Sequence, residues 1–165
     1  RAVAALSASP FAPDVRFNLL APWHPLRECP YLNHTSYELP LMLEDRKPLA
    51  VFQDAYPLDS FDHSMARFDP FVASGRFVRR INDEPWSAPR RIASGVICAG
   101  IRKVYVALPG HEWRIDAYLQ IEEAAARSGW NEINERMQGT LLGYEDWQND
   151  WWIDYQRAVL ARSGA

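Results

Sequence analysis

The run IRKVYVAL, residues Ile101–Leu108, carries the clearest structural signal in the chain. Its two valines, Val104 and Val106, alternate with a tyrosine and an alanine, and β-branched and aromatic residues of this kind are enriched in strands. The Pro-Gly pair at residues 109–110 ends the run, because this pair favours a turn. The sequence therefore predicts a β-strand over these eight positions.

Three shorter stretches before this run predict further strands: Leu49–Gln53, Arg76–Asn82 and Ile92–Ala99. The first is a continuous apolar run after a Lys-Pro pair, which is typical of a buried strand. In the second, Phe77 and Ile81 share one face with Arg79. Residues Pro85–Pro89 predict a turn between the second and the third stretch. We expect a small mixed or antiparallel sheet of three to four strands.

Helical periodicity appears in the middle and in the last third of the chain. Phe61–Ser74 predicts one or two short helical turns, interrupted by Pro70 and ended by Gly75. Three longer helices are predicted near the C-terminus, over Glu112–Ser128, Trp130–Leu142 and Glu145–Arg162. The side chains that we expect to face inward on these three helices are Trp113, Ala117, Ile121, Ala124, Trp130, Ile133, Met137, Leu141, Trp147, Trp151, Tyr155 and Val159.

Residues 1–48 form a different kind of segment, in which prolines alternate with aromatic residues. Proline fixes φ and removes a hydrogen-bond donor, so we expect this segment to be irregular and to wrap against the core. Near its end, Ser36–Arg46 predicts a short helix with Ser36 as the N-terminal cap. The residues expected to face inward on this helix are Leu39, Met42 and Leu43.

These elements predict an α+β fold in which C-terminal helices cover the small sheet. A chain of 165 residues suits a single domain, since two independent cores would leave each half near the size at which stability fails. Within the domain 1–165 we expect a Pro- and aromatic-rich wrap with a short helix at 1–48, a strand-rich part at 49–108 and a three-helix part at 111–162.

Composition excludes several classes of protein. A hydrophobic content of 48% excludes a disordered chain, and two cysteines are too few for a disulfide framework, so we expect free thiols. No run approaches the roughly 18 apolar residues of a membrane span. The net charge of −3 predicts no bulk attraction to nucleic acid or to anionic membranes. We expect a soluble, cytoplasmic protein, and its preference for arginine over lysine indicates a GC-rich, bacterial genome.

Charge is distributed unevenly along the chain. Residues 76–103 carry a net charge of +5 between flanks of −3 and −5. The simplest interpretation is that the basic middle packs beside the acidic end, because segment charge predicts steering rather than a site. The alternative is a surface that binds an anionic ligand or RNA through Arg79, Arg80, Arg90 and Arg91.

Histidines and a cysteine provide the candidate metal ligands. His24, Cys29 and His34 follow one another at five-residue intervals, and imidazole and thiolate are ligands that zinc prefers. The spacing resembles no zinc family, and nothing in the pattern makes the three side chains converge. We therefore expect three unrelated loop residues and no cofactor.

Two other histidines are candidates for general-base catalysis. His63 follows Asp62 and lies between two serines, and His111 lies between a predicted strand and a predicted helix. A capped helix start explains the residues around His63 more simply, because residues adjacent in sequence rarely form a catalytic set. No phosphate-binding loop, nucleophile elbow or metalloprotease motif is present. A small hydrolase using His63 or His111 as base stays an alternative.

The predicted final helix concentrates aromatic residues. Trp152 lies about 100° away from the stripe of Trp147, Trp151 and Tyr155, with the carboxylates of Asp150 and Asp154 further round. A tryptophan surrounded by charges is a typical anchor of a protein interface. The function that we expect is therefore a non-catalytic protein-binding domain, an accessory, regulatory or immunity-type subunit. Its partner is another protein or a second copy, and neither nucleic acid nor a membrane.

Overall fold

The structure, a computed structural model, describes residues 29–129 and 131–162. The chain divides into two compact units, Arg1–Tyr37 and Glu38–Ala165. In the described part of the first unit, residues 29–37 form turns and irregular chain. The side chain of Asn33 accepts a hydrogen bond from the Thr35 amide at 2.8 Å. Single-domain organisation over 1–165 and the packing of the wrap before residue 29 stay predictions.

The second unit alternates short helices with three long strands and ends in helices. Its elements in chain order are α1 (Glu38–Leu43), β1 (Leu49–Tyr56), α2 (Asp59–Ala66), α3 (Asp69–Ala73), β2 (Val78–Arg91), β3 (Ile97–Ala107), α4 (Trp113–Ser128), α5 (Glu132–Leu141) and α6 (Asp146–Arg162). Among the described residues, the strands form one antiparallel sheet in the order β1-β3-β2. The predicted α+β class is confirmed. No helix in the described ranges is long and apolar enough to cross a membrane.

Strand β3 lies between its two neighbours and is buried on both faces. On one face, Val104 and Val106 belong to a core with the aromatic residues of α2, α3 and the following loop. On the other face, Tyr105 and Ala107 belong to a core with Ile115 of α4 and with residues of α5. These four strand residues are at most 2% exposed. The predicted strand over Ile101–Leu108 is confirmed, and it supplies both cores of the unit.

The strand prediction Arg76–Asn82 is too short, and Ile92–Ala99, predicted as a separate strand, is a turn followed by the first residues of β3. A single strand, β2, runs through both prolines, with a shift in its pairing to β3 between Pro85 and Arg90. The chain reverses after β2, where the Ile92 amide donates to the Val96 carbonyl at 2.9 Å and Gly95 has a φ of 86°. Because β2 lies at the edge of the described sheet, no neighbouring strand accepts hydrogen bonds from its outward amides. Proline, which has no amide hydrogen, is therefore tolerated at outward positions. The sheet therefore has three strands in the described residues.

The short helices differ from their predictions in detail. Helix α1 begins at Glu38, and Ser36 has a φ of 71°, so it lacks the extended backbone of an N-terminal cap. Leu43 is exposed, contrary to the prediction, whereas Met42 is buried. Pro70 lies in the first turn of α3 and does not interrupt a helix, because a first-turn residue needs no amide donor.

The three C-terminal helices are present, but several residues predicted to face inward are exposed. Trp113, Ile133, Met137 and Trp147 are 47–68% exposed. The buried residues of these helices are Ile115, Ile121, Leu141, Asn149 and Ile153. On α5, Ile133, Met137 and Leu141 follow one stripe, but only Leu141 is buried, so periodicity does not show how much of an apolar stripe packs. Trp130 lies outside the described residues.

A polar cluster fixes α4 to the sheet. The Tyr105 hydroxyl donates to the Glu122 carboxylate at 2.9 Å, and the Lys103 ammonium lies 2.8 Å from Glu84 and 3.4 Å from Glu122. Burial, followed by the hydrogen bond to Glu122, raises the pKa of Tyr105. The ring of Tyr118 packs edge-on against Tyr105 at 6.3 Å. The cluster therefore satisfies the hydroxyl that the tyrosine carries into the core.

We predict that Gly100→Ala strongly destabilises the protein. A Cβ atom at this position of β3 would lie 2.3 Å from the Glu84 carbonyl oxygen and 2.8 Å from the Pro85 Cα. Both atoms belong to the backbone of β2, so relief requires β2 to move. Urea unfolding is expected to show a loss of about 2–3 kcal/mol or more. Gly110→Ala is the control, because its Cβ meets nothing within 4 Å and costs only the backbone strain of a φ of 83°, about 1 kcal/mol. Equal losses would contradict the steric argument.

Candidate functional site

Among the described residues, the carboxylate next to the candidate histidine of α2 is directed to an arginine. His63 is exposed in the last turn of α2. The carboxylate of Asp62 faces Arg102 at 3.3 Å, and the same guanidinium holds Asp83 through two hydrogen bonds of 2.8 Å. Asp62 therefore contributes to an ion-pair cluster on β2 and β3.

His111, the second candidate base, supports a helix terminus. Its Nδ1 accepts a hydrogen bond from the Arg114 side chain at 3.2 Å. Arg114 also donates to the carbonyls of Thr140 and Leu141 at 3.0 Å, the last turn of α5. In the described part of the chain no carboxylate pairs with either His63 or His111, so the arrangement needed for a general base is not assembled there.

A groove of about 690 Å³ lies between the β1–α2 connection and the β2–β3 turn. Its lining is mostly apolar, with Leu58 on one side and Val96 on the other. Asp54, Asp59 and Ser60 contribute the polar groups of the first side. Neither candidate histidine is among the described residues that line it. The groove therefore lacks the imidazole that the hydrolase alternative requires.

The candidate zinc ligands are only partly within the described residues. His24 lies outside them, Cys29 is half-buried and His34 is buried. Burial raises the pKa of the Cys29 thiol, which disfavours the thiolate that binds metal. No group of three metal-ligating side chains occurs in residues 29–129 and 131–162. Both cysteines are free thiols, and Cys98 is buried in β3.

The four candidate anion-binding arginines do not converge. Arg79 and Arg80 point to opposite faces of β2, and they pair with Asp69 and Asp116 respectively. Nearer the turn, Arg90 lies over the ring of Trp86 at 5.0 Å, and Arg91 donates to the Gly95 carbonyl at 2.6 Å. Arg79 and Arg80 therefore link β2 to α3 and α4, whereas Arg90 and Arg91 contact residues of β2 and of the turn that follows it.

Two of the three predicted interface residues of α6, Trp152 and Asp150, contact α5. The indole N–H of Trp152 donates to Glu135 at 2.7 Å, and its ring stacks on Tyr155 at 5.9 Å. Asp150 pairs with Arg136 of α5, and Asp154 with Arg157 at 2.9 Å. The side chains of Asp150 and Asp154 are nevertheless 60% and 72% exposed. Trp152 is thus a half-buried link between the helices, bordered by exposed carboxylates.

Two apolar residues of α5 that the sequence predicted to face the core are exposed. Ile133 and Met137, one turn apart, are 68% and 47% exposed. The charged residues of α5 instead face α6, because Glu132 pairs with Arg157 and Arg136 pairs with Asp150. The sequence signal for this packing is that two charged residues of α5 have oppositely charged partners on the next helix, α6.

Lys47, just before β1, is a buried titratable group. It is 3% exposed, and its ammonium donates to the Leu142 carbonyl at 3.3 Å and lies over the Tyr144 ring at 5.7 Å. Burial lowers the pKa of Lys47 to about 8, against a smaller opposite effect of Glu38. A cation at the end of α5 is favourable, but removing it from water is costly.

No family model, curated protein or solved structure matches the chain. The geometry of the described residues is therefore the basis for the functional argument.

We predict that Trp152→Ala and Trp147→Ala have different effects on stability. Trp152 fills the α5–α6 contact and leaves Glu135 without its donor when truncated, so a loss of about 2–4 kcal/mol is expected in chemical denaturation. Trp147 is 48% exposed, and its truncation is expected to cost less than about 1 kcal/mol. The reverse order would contradict the orientation of α6.

We predict that Lys47 makes stability rise with pH in mildly alkaline solution. Its pKa of about 8 in the folded chain lies below the ordinary value of 10.5, so between these values the unfolded chain binds the extra proton. The burial penalty is therefore complete below about pH 8 and relieved towards pH 10.5. The measurement is the free energy of unfolding of wild type and Lys47→Met across this window. The free energy of unfolding of the wild type is expected to rise relative to that of the variant as the pH rises. Parallel curves would contradict the lowered pKa of Lys47.

Proposed function

We propose that the protein is a non-catalytic protein-binding domain, an accessory, regulatory or immunity-type subunit, soluble in a bacterial cytoplasm. The observation that carries the proposal is the exposure of Ile133 and Met137 one turn apart on α5, together with the exposed carboxylates of Asp150, which pairs with Arg136 of α5, and Asp154 on α6. We call Ile133, Met137, Asp150 and Asp154 the α5–α6 surface. Free cysteine thiols support a reducing compartment.

The α5–α6 surface has the composition of an interface. Isoleucine and methionine one helical turn apart offer adjacent apolar area, whereas isolated exposed apolar residues need no explanation. Arg136, three positions after Ile133, pairs with Asp150 and so connects the apolar residues to the acidic rim. An apolar centre with a charged rim is the arrangement in which few residues supply most of the affinity. The acidic rim favours a partner with basic groups around an apolar contact.

Trp152 has a supporting role in this proposal. Its hydrogen bond to Glu135 keeps α6 against α5 and so positions Asp150 and Asp154 beside the apolar residues. Of the residues that the sequence indicated for partner binding, the two aspartates contact the partner directly. Trp152 acts through the packing of the two helices.

We predict that Ile133→Glu and Met137→Glu weaken partner binding without unfolding the protein. A partner recovered from the native host by affinity capture is expected to lose about 2 kcal/mol of binding free energy for either variant. The melting temperature is expected to change little, because both side chains face solvent. Binding by calorimetry and melting by circular dichroism are the two measurements.

Ile97→Glu is the matched control, because Ile97 is 56% exposed on β3. It introduces the same charge on a different surface and is expected to leave binding unchanged. Reversal of Asp150 and Asp154 to lysine is expected mainly to slow association and to change its salt dependence. A partner that binds Ile133→Glu and Met137→Glu as tightly as wild type would overturn the proposal.

A further inference from the structure

Strand β2 presents an open hydrogen-bonding edge. The Leu108 amide donates to the Pro48 carbonyl at 3.0 Å, so even-numbered backbone groups at this end of β3 point to β1. Backbone direction alternates along a strand, and odd-numbered groups therefore point to β2. Through the pairing of Val78 with Ala107, the residues of β2 that bond to β3 are Val78, Arg80, Asn82 and Glu84. The residues whose backbone groups point away from the sheet are Arg79, Ile81 and Asp83.

The open edge has defined ends. The Phe77 amide also points away from β3, and it already donates to the Phe71 carbonyl at 3.1 Å. Pro85 has no amide hydrogen to donate. Between these ends, no group in the described ranges hydrogen-bonds to the outward backbone of Arg79, Ile81 or Asp83. We call Val78–Glu84 the β2 edge, and its central residue is Ile81.

The side chains of the β2 edge are arranged symmetrically about Ile81. Arg79 and Asp83 lie two residues before and two residues after it on the same face of the strand. Ile81 itself is 51% exposed. Natural sheets usually cover or interrupt an edge of this kind, because its unpaired groups recruit another strand. Antiparallel pairing with an identical segment would set each arginine opposite an aspartate.

We propose that two copies of this chain pair through their β2 edges, antiparallel, about a twofold axis at Ile81. Ile81 lies opposite Ile81 of the second copy, and Arg79 opposite its Asp83, in pairs that each exchange two backbone hydrogen bonds. The two sheets become one continuous sheet. The pairing is separate from the α5–α6 surface, so it does not depend on the function proposed above.

The backbone selects this register over its neighbours. An axis at Arg80 would place two Arg80 side chains opposite one another, and would set Asp83 opposite Phe77, whose amide is occupied. An axis at Asn82 would set Arg79 opposite Pro85, which cannot donate. The axis at Ile81 is the one that uses the outward groups of all three residues in both copies.

The existing ion pairs extend across the axis. Arg79 already pairs with Asp69, and Asp83 accepts two hydrogen bonds from Arg102. In the paired form, Asp83 lies between its own Arg102 and the second copy's Arg79. Opposite charges on directly opposed strand positions are favourable, and like charges are unfavourable.

Charge reversal tests the register. Sedimentation velocity over about 1–100 µM protein is expected to show a dimer for the wild type. Arg79→Glu and Asp83→Lys each place like charges opposite one another, and each is expected to raise the dissociation constant about tenfold or more. An equimolar mixture of the two variants restores opposite charges at both pairs and is expected to dimerise. Arg80→Glu is the control, because Arg80 lies opposite an uncharged Asn82.

Amide hydrogen exchange tests the backbone pairing and the folding of the variants together. In the dimer, the amides of Arg79, Ile81 and Asp83 are expected to be protected in a concentration-dependent manner. The amides of Arg80 and Asn82 bond to β3 and are expected to stay protected in the wild type and in every variant. Loss of protection at Arg80 and Asn82 would identify a variant that has unfolded. The dissociation constant of the other charge reversal, which stays folded, then decides whether the register is correct.

Three results would overturn the proposal. A wild-type protein that stays monomeric over this concentration range has no such interface. A dimer that Arg79→Glu and Asp83→Lys leave unchanged, or that their mixture does not restore, uses another surface. Outward amides that are protected in a monomer would show that another segment of the same chain covers the β2 edge.

Discussion

The burial of β3 on both faces is the constraint on which the second unit depends. Its backbone groups are divided between β1 and β2, and its side chains are divided between two cores. Helices are needed on both sides of such a strand, because each face would otherwise expose apolar area to water. The short helices α2 and α3 cover one face, and α4 and α5 cover the other. The polar cluster of Tyr105, Lys103 and Glu122 fits this division, since it ties α4 to the strand that it covers.

The fold class was accessible from the sequence because β3 and the C-terminal helices have strong local signals. The strand boundaries around Pro85 and Pro89 were not, since proline is read as a break unless the strand is known to lie at an edge. The inward faces of the C-terminal helices were predicted only in part: Ile121 and Leu141 are buried as expected, but other predicted residues are not. Trp113 and Trp147 are large and apolar, yet they are exposed, while Asn149 is buried. Contacts with the rest of the fold decide which of these residues are buried, and the periodicity of one helix carries no information about those contacts.

The candidate sites show the same limit. Asp62 and His63 are adjacent in the chain, but the fold directs the aspartate to Arg102. The sequence predicts Trp152 at the border of an aromatic stripe, whereas its hydrogen bond to Glu135 depends on the orientation of a neighbouring helix. The prominence of Ile133 and Met137 follows from ion pairs between α5 and α6. Local sequence identifies residue types, and contacts between elements decide what those residues do.

The strand order has a consequence for synthesis of the chain. The central strand is the last of the three to be made, so β1 and β2 leave the ribosome before the strand that joins them. The hairpin of β2 and β3 closes over a short turn, and β1 then pairs with residues about fifty positions further along the chain. Until Ala107 has emerged, the apolar run of β1 has no partner strand. An exposed apolar segment with an unpaired strand edge is the kind of surface through which incomplete chains aggregate, so the order in which the strands are made favours rapid pairing once β3 is complete.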